Sequence, residues 1–379
     1  MFARYYGSGD PTERIQHLIA NPPPVIAIDV ETISIAERLP LGFAIAFSPD
    51  EAVYFQVYPE APTELEKLKP LLCNPAVRKV AHNIVFDLGV MPSIPYLEGI
   101  DKSNIWDTNI AARYLGRDIT DLPYLANTEL NMEVTAARDM LAGGKSMLDI
   151  DPEKLADKCQ RDARACLMLY YNYLPQIEAL HLDNFRVDME VIPILIAMSQ
   201  RGLAIDQRAR AELEDKYTRE VDFYTELVKS FGIDNPGSSQ QVGYTLASRR
   251  NILPLTKSKR QLSTRVELLE MLDDPLAAAV LGFRHNSKIK NTYLDPLEKE
   301  NRFYTEYYLD TSVGRLNSRD RNIQNIPPDA RYMILPDYGV FTNMDYSQEH
   351  LYILMHFSQD REMRKVYEKG KFGGDMHQY

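Results

Sequence analysis

The 379-residue sequence predicts an α/β domain, then a mainly helical region, then a shorter segment of mixed strand and coil. Three observations carry that order. Residues 25–30, 41–47 and 52–57 are apolar runs rich in β-branched and aromatic residues, too short for globular helices and spaced like neighbouring strands. Helical periodicities follow them, which is the pattern of an α/β domain over about residues 20–180. Beyond Pro175 the texture turns to helix, and near Phe303 it changes again.

Element by element, the chain opens with a helix at 12–20 and a proline-rich entry into the first strand. A helix at 63–71 follows the three strands. Asn83, a good N-cap residue, is expected to cap a helix at 84–88. Asp107-Thr108 opens a helix through Tyr114, and 122–130 reads as another. In 151–173, Pro152 sits just inside the start, and Leu155, Cys159, Ala163, Cys166, Leu167 and Tyr170 form an apolar stripe. A helix at 185–201 stops at Gly202, a natural C′ residue. A charge-laced helix covers 206–230, and the turn cluster at 235–239 caps the next short helix. The polar loop 257–264 is basic, and helices at 265–271 and 276–293 follow it. Residues 304–309 read as strand, 314–328 as polar coil, and 342–346 as the end of a strand. Ser347 is expected to cap a helix running to about 358. The sequence holds no internal repeat.

Hydrophobic residues at 45% and charged residues at 26% are ordinary for a globular protein. No apolar run is long enough for a membrane span, and the N-terminus lacks a secretory apolar region. Cys73, Cys159 and Cys166 form no CxxC pair, and reduced thiols in a cytoplasmic protein explain them. The formal net charge of -11 argues weakly against a nonspecific nucleic-acid coat. It leaves room for a polymer-processing enzyme, since a bound metal inverts the field of an acidic site. The 23 tyrosines fit packed amphipathic rings better than base-stacking platforms.

The chemistry concentrates in acids. Asp29 and Glu31, two apart on a strand, share a face. Side by side they repel, and a hard divalent cation such as Mg²⁺ or Mn²⁺ removes the penalty. The plain alternative is a solvated strand end. Asp87, Asp107 and Asp162 are candidate partners. Each alone on a helix would ordinarily be solvated, but acids on helices that follow a paired strand site converge at the sheet's carboxyl edge.

The order Asp29-x-Glu31, Asn83-x-x-Phe86-Asp87 and Asp162 resembles the 3′–5′ proofreading exonuclease domain of bacterial DNA polymerase I and its phage relatives. The resemblance implies a ribonuclease-H-like α/β fold in which Asp29, Glu31, Asp87 and Asp162 hold two Mg²⁺ or Mn²⁺ ions about 4 Å apart. Water is then the nucleophile, and His82 is structural. The family's third motif carries a tyrosine four residues before its aspartate, and here that position is Lys158. The lysine either positions a hydroxide or phosphate or points to solvent.

The resemblance extends from about residue 25 to 379. Residues 311–318 and Asn322-Ile323-Gln324-Asn325-Ile326-Pro327 are similar to the thumb–palm junction of family-A DNA polymerases. Asp345-Tyr346-Ser347-Gln348 matches their motif A. Residues 201–206 and 288–293 resemble landmarks of the thumb. The domains implied are an exonuclease at 1–185, a thumb at 186–300 and a partial α+β palm at 301–379. Lys257, Lys259, Arg260, Lys288 and Lys290 would face duplex phosphates, and Arg315, Asn322 and Gln324 the minor groove near the primer terminus. Asp345 would hold catalytic metal, with Tyr346, Ser347, Gln348 and His350 around the incoming deoxynucleoside triphosphate. His350 stands where the family has the glutamate that restricts the sugar, and Tyr352 takes a position that is usually arginine. No fingers helix and no second palm carboxylate are legible. The expectation is therefore a polymerase piece that needs a second polypeptide supplying them for synthesis, either as a fragment or as a naturally split, phage-type enzyme. A cut through an unfinished palm would expose core surface, which favours the split. The alternatives are a stand-alone exonuclease acting on single-stranded 3′ ends and a noncatalytic DNA-binding assembly subunit.

Overall fold

A computed structural model of the chain describes residues 3–6, 11–34, 38–141, 146–256, 261–309, 311, 314–319 and 321–368. The apolar runs of the sequence become the middle of a sheet. β1 (Ala3–Tyr6) is followed by α1 (Pro11–Ala20), β2 (Val25–Thr32), β3 (Pro40–Ser48) and β4 (Glu51–Gln56). Then come α2 (Lys69–Leu72), β5 (Arg78–Ala81), α3 (Ile84–Val90), β6 (Ile105–Asp107), α4 (Thr108–Tyr114), α5 (Leu122–Leu130), α6 (Ala137–Met140) and α7 (Pro152–Ala179). The six strands lie in the order β1-β4-β3-β2-β5-β6. β2 pairs antiparallel with β3 and parallel with β5, so it is the strand at which the sheet changes direction. Strands covered on both faces read as continuous apolar runs, and every residue of β3 except Ser48 is buried.

α7 packs across β2, β3 and β4. Its apolar stripe continues past the sequence expectation to Tyr173 and Ile177, and the helix runs straight through Pro175. A proline inside a helix costs about 3 kcal/mol, and the core beneath Tyr170, Tyr173 and Ile177 outweighs it.

The α3 terminus also departs from expectation. Asn83 sits at the N-cap position in the left-handed conformation (φ 72°), and its side chain makes no capping bond. Asp107 does that work from β6, accepting Asn83 N–H at 3.2 Å and Ile84 N–H at 2.8 Å. The same carboxylate caps its own helix, α4, through Asn109 N–H at 2.8 Å and Ile110 N–H at 3.2 Å. One fully buried acid joins two helix starts.

The chain continues as α8 (Asp183–Arg201), β7 (Leu203–Ile205), α9 (Gln207–Lys229), α10 (Ser239–Ser248), α11 (Val266–Glu270) and α12 (Pro275–Ile289). Ser238 caps α10 and Asp206 caps α9. α9 and α12 pack closely, with Gly282 against the Tyr224 ring where a side chain would collide. Two apolar clusters hold this region, one around Leu213, Tyr217 and Tyr293, the other around Val228, Val242 and Val280. β8 (Arg302–Phe303) and β11 (Ile334–Leu335) flank β7 in a small sheet. β9 (Glu306–Tyr308) and β10 (Asn317–Arg319) form a two-stranded ladder, so the expected strand at 304–309 is shorter and the expected coil at 314–328 contains a strand.

Residues Pro336–Tyr379 form a separate unit. It contains α13 (Glu349–Ser358) and α14 (Arg361–Glu368), with Met355 and Val366 buried and the Tyr352 and Tyr367 rings 5.0 Å apart. Residues 342–346 form no strand: no neighbouring strand pairs with them, and all are exposed. Ser347 does not cap α13. The N-cap position belongs to Gln348, left-handed at φ 55° and without a side-chain capping bond.

Candidate metal centre

The site grows from the carboxyl end of β2. Asp29 lies opposite Ala44 and Glu31 opposite Gly42 on β3. Where β2 ends, α3 brings Asp87, whose Oδ1 accepts Val30 N–H at 3.0 Å, and α7 brings Asp162 and Lys158. Glu31, Asp87, Asp162 and Lys158 are buried. Lys158 Nζ donates to Glu31 Oε1 at 2.5 Å and to Asp162 Oδ2 at 2.7 Å. The structure thus removes the solvent-facing alternative for this lysine. Asp29 Oδ2 and Asp162 Oδ1 are enclosed and accept no hydrogen bond.

Burial dominates the electrostatics. It pushes the Asp29 carboxyl well above the usual range, with Asp162, Glu31 and Asp87 adding repulsion and Lys158 opposing it. Burial likewise raises Asp87, against the pull of Val30 N–H. It raises Asp162 to about 6, with Glu31 adding to it and Lys158 working the other way. Burial alone would lower Lys158, yet Glu31, Asp162 and Asp29 hold it well above the ordinary lysine value and charged.

Asp29, Glu31 and Cys159 present ligand atoms within 4.8 Å of one another. Burial raises the Cys159 thiol well above its usual value, with Asp29 and Glu31 adding to it, and its Sγ–H donates to Asp29 O at 3.3 Å. A thiol so held is no ligand for a hard cation, so the donor set is carboxylate oxygen, which suits Mg²⁺ or Mn²⁺. The enclosed, unpartnered oxygens of Asp29 and Asp162 fit a cation as well.

Linkage gives the sign of a pH effect. Asp29, Asp87 and Asp162 have folded-state pKa values above the unfolded ones. As pH rises from the ordinary carboxylate value through the raised ones, the metal-free fold loses stability, because its carboxyls hold protons that the unfolded chain has released. Lys158 stays charged throughout this window. A divalent ion binds the ionised carboxylates, so Mn²⁺ is expected to raise the melting temperature more at about pH 8 than at about pH 5. Thermal melts with and without Mn²⁺ check this, and equal shifts at both pH values would contradict it.

Two of the expected residues are structural. His82 Nδ1 lies 2.8 Å from Thr108 Oγ1 and Nε2 lies 2.7 Å from Thr120 O. Asp107, weighed with the acids as a partner, is spent on the two helix caps. Cys159 and the Asp107 clip escaped the sequence reading, though the Lys158–Asp162 pair carries the i,i+4 spacing of a helix ion pair.

The thumb–palm candidates are dispersed. Lys288 is exposed on α12, while Lys290 Nζ pairs with Asp295 at 2.8 Å. Lys257, Lys259 and Arg260 lie outside the described residues. Arg315 is exposed. Ser318 gathers the other two: its Oγ–H donates to Asn322 Oδ1 at 2.8 Å, and its N–H to Gln324 Oε1 at 3.2 Å. In the second unit Asp345, Tyr346, Ser347 and His350 are exposed and Gln348 is half-buried. Among the described residues, Asp345 belongs to no cluster of three potential metal ligands.

Residues 9–178 match the family profile described as 3′-5′ exonuclease, and residues 206–379 match that of DNA polymerase family A. The chain belongs to the family-A, polymerase I-like DNA polymerases. It is similar to DNA polymerase I of Chloroflexus aurantiacus, 30% identical over 387 residues, covering 92% of this chain and 40% of that protein. Against DNA polymerase I of Borreliella burgdorferi the identity is 27%, over 93% of this chain and 41% of that protein. The chain thus spans about two fifths of the length of these curated relatives. The fold is shared with a solved structure described as the POL domain of Pol1 from M. smegmatis in complex with DNA primer-template and dNTP. The TM-score is 0.68 at 21% identity, covering 96% of this chain and 65% of that one. This family-A chain carries an α/β exonuclease fold followed by a mostly helical region matching thumb and partial palm. Among the described residues, no helix is long and apolar enough to cross a membrane.

Proposed function

We propose that residues 1–185 hydrolyse the 3′-terminal phosphodiester of single-stranded DNA with Mg²⁺ or Mn²⁺ held by Asp29, Glu31, Asp87 and Asp162. One observation carries the reading: four carboxylates from β2, α3 and α7 meet at one sheet edge, with two enclosed oxygens that accept no hydrogen bond. When bound, a divalent ion supplies Lewis acidity and a more acidic water. The attacking group is water, because His82 is tied to Thr108 and Thr120 and Cys159 is held as a thiol. Asp87, anchored to Val30 N–H, and Asp162, anchored to Lys158, are fixed in direction before substrate arrives. Four carboxylates are enough ligands for two ions, and Lys158 competes for two of them.

Residues 186–300 act as a thumb on duplex phosphates through Lys288, Lys290 and the basic stretch Lys257, Lys259 and Arg260. Residues 301–379 contribute Asp345 to templated synthesis, with Arg315, Asn322 and Gln324 toward the primer and Tyr346, Ser347, Gln348 and His350 toward the triphosphate. Asp345 belongs to no group of three potential ligands among the described residues, and on this reading synthesis takes its second carboxylate and the fingers from further elements, in the same polypeptide or a second one.

The buried Lys158 favours one other reading, a DNA-binding subunit that hydrolyses nothing. Incubation with a 5′-labelled single strand separates the two. Stepwise shortening with Mn²⁺ that stops with chelator supports the exonuclease. No shortening, or equal shortening with chelator present, overturns it.

A further inference from the structure

The Lys158 ammonium stands 2.5 Å from Glu31 Oε1 and 2.7 Å from Asp162 Oδ2, and the residue is only 9% exposed. We propose that this ammonium occupies a cation position of the exonuclease site, so that the site takes one divalent ion fewer than it would with a neutral residue at 158. This deepens the exonuclease reading and rests on it.

Steric exclusion decides the matter. A magnesium ion lies about 2.0–2.1 Å from each oxygen that ligates it. An ion shared by Glu31 Oε1 and Asp162 Oδ2 would overlap the nitrogen already touching both. The two cations therefore exclude each other at this pair of oxygens.

The ammonium is also held from two elements. Lys158 and Asp162 lie one turn apart on the same face of α7, and Glu31 reaches across from β2. The side chain does not reach in from solvent: it is buried on the helix face that packs on the sheet. Asp29 Oδ2 and Asp162 Oδ1 meet no partner, and they remain as ligand atoms for one ion.

A tethered ammonium and a divalent ion differ in what they supply. Each neutralises carboxylate charge. The ammonium carries one positive charge instead of two, brings no bound water and cannot leave with product. A site built this way keeps its acids close together without metal, and depends on the remaining ion for Lewis acidity.

The test counts ions. Bound Mn²⁺ is measured by electron paramagnetic resonance on the full chain carrying Asp345→Ala, so that the exposed palm acid does not contribute. The same chain with Lys158→Met is measured beside it. The methionine chain is expected to bind one more Mn²⁺, with affinity roughly tenfold higher or more as the repelling charge goes. Asp29→Ala is expected to lower both counts, which ties the ions to this site. Equal, non-zero counts with and without Lys158 overturn this inference alone. No Mn²⁺ on either chain overturns the exonuclease reading together with it. Should the methionine chain fail to fold, Lys158→Tyr takes its place. A count of two on the chain with its native lysine overturns the inference without any variant, and a count of one there with two on the methionine chain supports it.

Discussion

Asp29→Ala is expected to abolish metal-dependent digestion of a single-stranded 3′ end while leaving the fold intact. The loss should exceed the roughly 10–100-fold that follows from disturbing groups behind a metal's ligands, because Asp29 is itself the acid whose enclosed Oδ2 accepts no hydrogen bond. The substitution also removes a carboxyl that burial and three neighbouring acids destabilise when ionised, so the metal-free protein should melt at the same temperature or higher. Glu31→Ala should behave differently. From sequence, both acids appear as a repelling pair whose joint removal leaves stability unchanged or raised. In the structure Glu31 is a partner of Lys158, and losing it leaves that buried ammonium with Asp162 as its remaining close counter-charge. Breaking a buried pair costs about 3–5 kcal/mol when one charge is left alone, and the surviving Asp162 contact keeps the cost below that. Digestion of a 5′-labelled strand and thermal melts of the two single variants read both effects. Asp29→Ala digesting at the parental rate would remove the carboxylate assignment.

Three of the six strands, β2, β3 and β4, were legible as short apolar runs, while β1, β5 and β6 were not read, and α7 was legible from its local apolar stripe. What escaped the sequence depends on residues far apart in the chain. Asn83 has the right side chain to cap α3, but its backbone is left-handed and its side chain makes no capping bond, while Asp107 reaches from a neighbouring strand to the N–H groups of Asn83 and Ile84 at the helix start. Pro175 signals a helix end by local propensity, and the packing of Tyr173 and Ile177 overrides it. For the site, the strand pair Asp29 and Glu31 pointed to the carboxyl edge of the sheet, and the family resemblance added Asp87 and Asp162; in the structure Asp87 accepts Val30 N–H and Asp162 shares Lys158 with Glu31. Lys158 was visible as a departure from a motif. Its burial was not, since an i,i+4 pair with Asp162 is ordinarily a feature of a solvated helix face. No strand pairs with residues 342–346, where a strand end was read, and Asn343 and Asp345 are themselves poor strand formers.

Templated synthesis should depend wholly on Asp345, and only when other elements complete its surroundings. Asp345 is an exposed acid in the second unit, outside any cluster of three potential ligands among the described residues. Nucleotidyl transfer asks for facing carboxylates around the ions and a cationic group on the triphosphate. The 379 residues alone are therefore expected to bind primer–template with an affinity that falls steeply with salt, as phosphate contacts from thumb lysines do, and to add no nucleotide. Supplying a polypeptide with fingers and the remaining palm should restore extension, and Asp345→Ala should then abolish it while 3′ digestion continues at the parental rate. The assay is primer extension in an Asp29→Ala background, so that digestion cannot hide synthesis, with 3′ digestion read separately on Asp345→Ala that keeps Asp29. If the single chain extends a primer by template, and Asp345→Ala ends that extension, the need for added elements is refuted while Asp345 keeps its role. If the completed enzyme extends equally well without Asp345, the palm assignment itself falls.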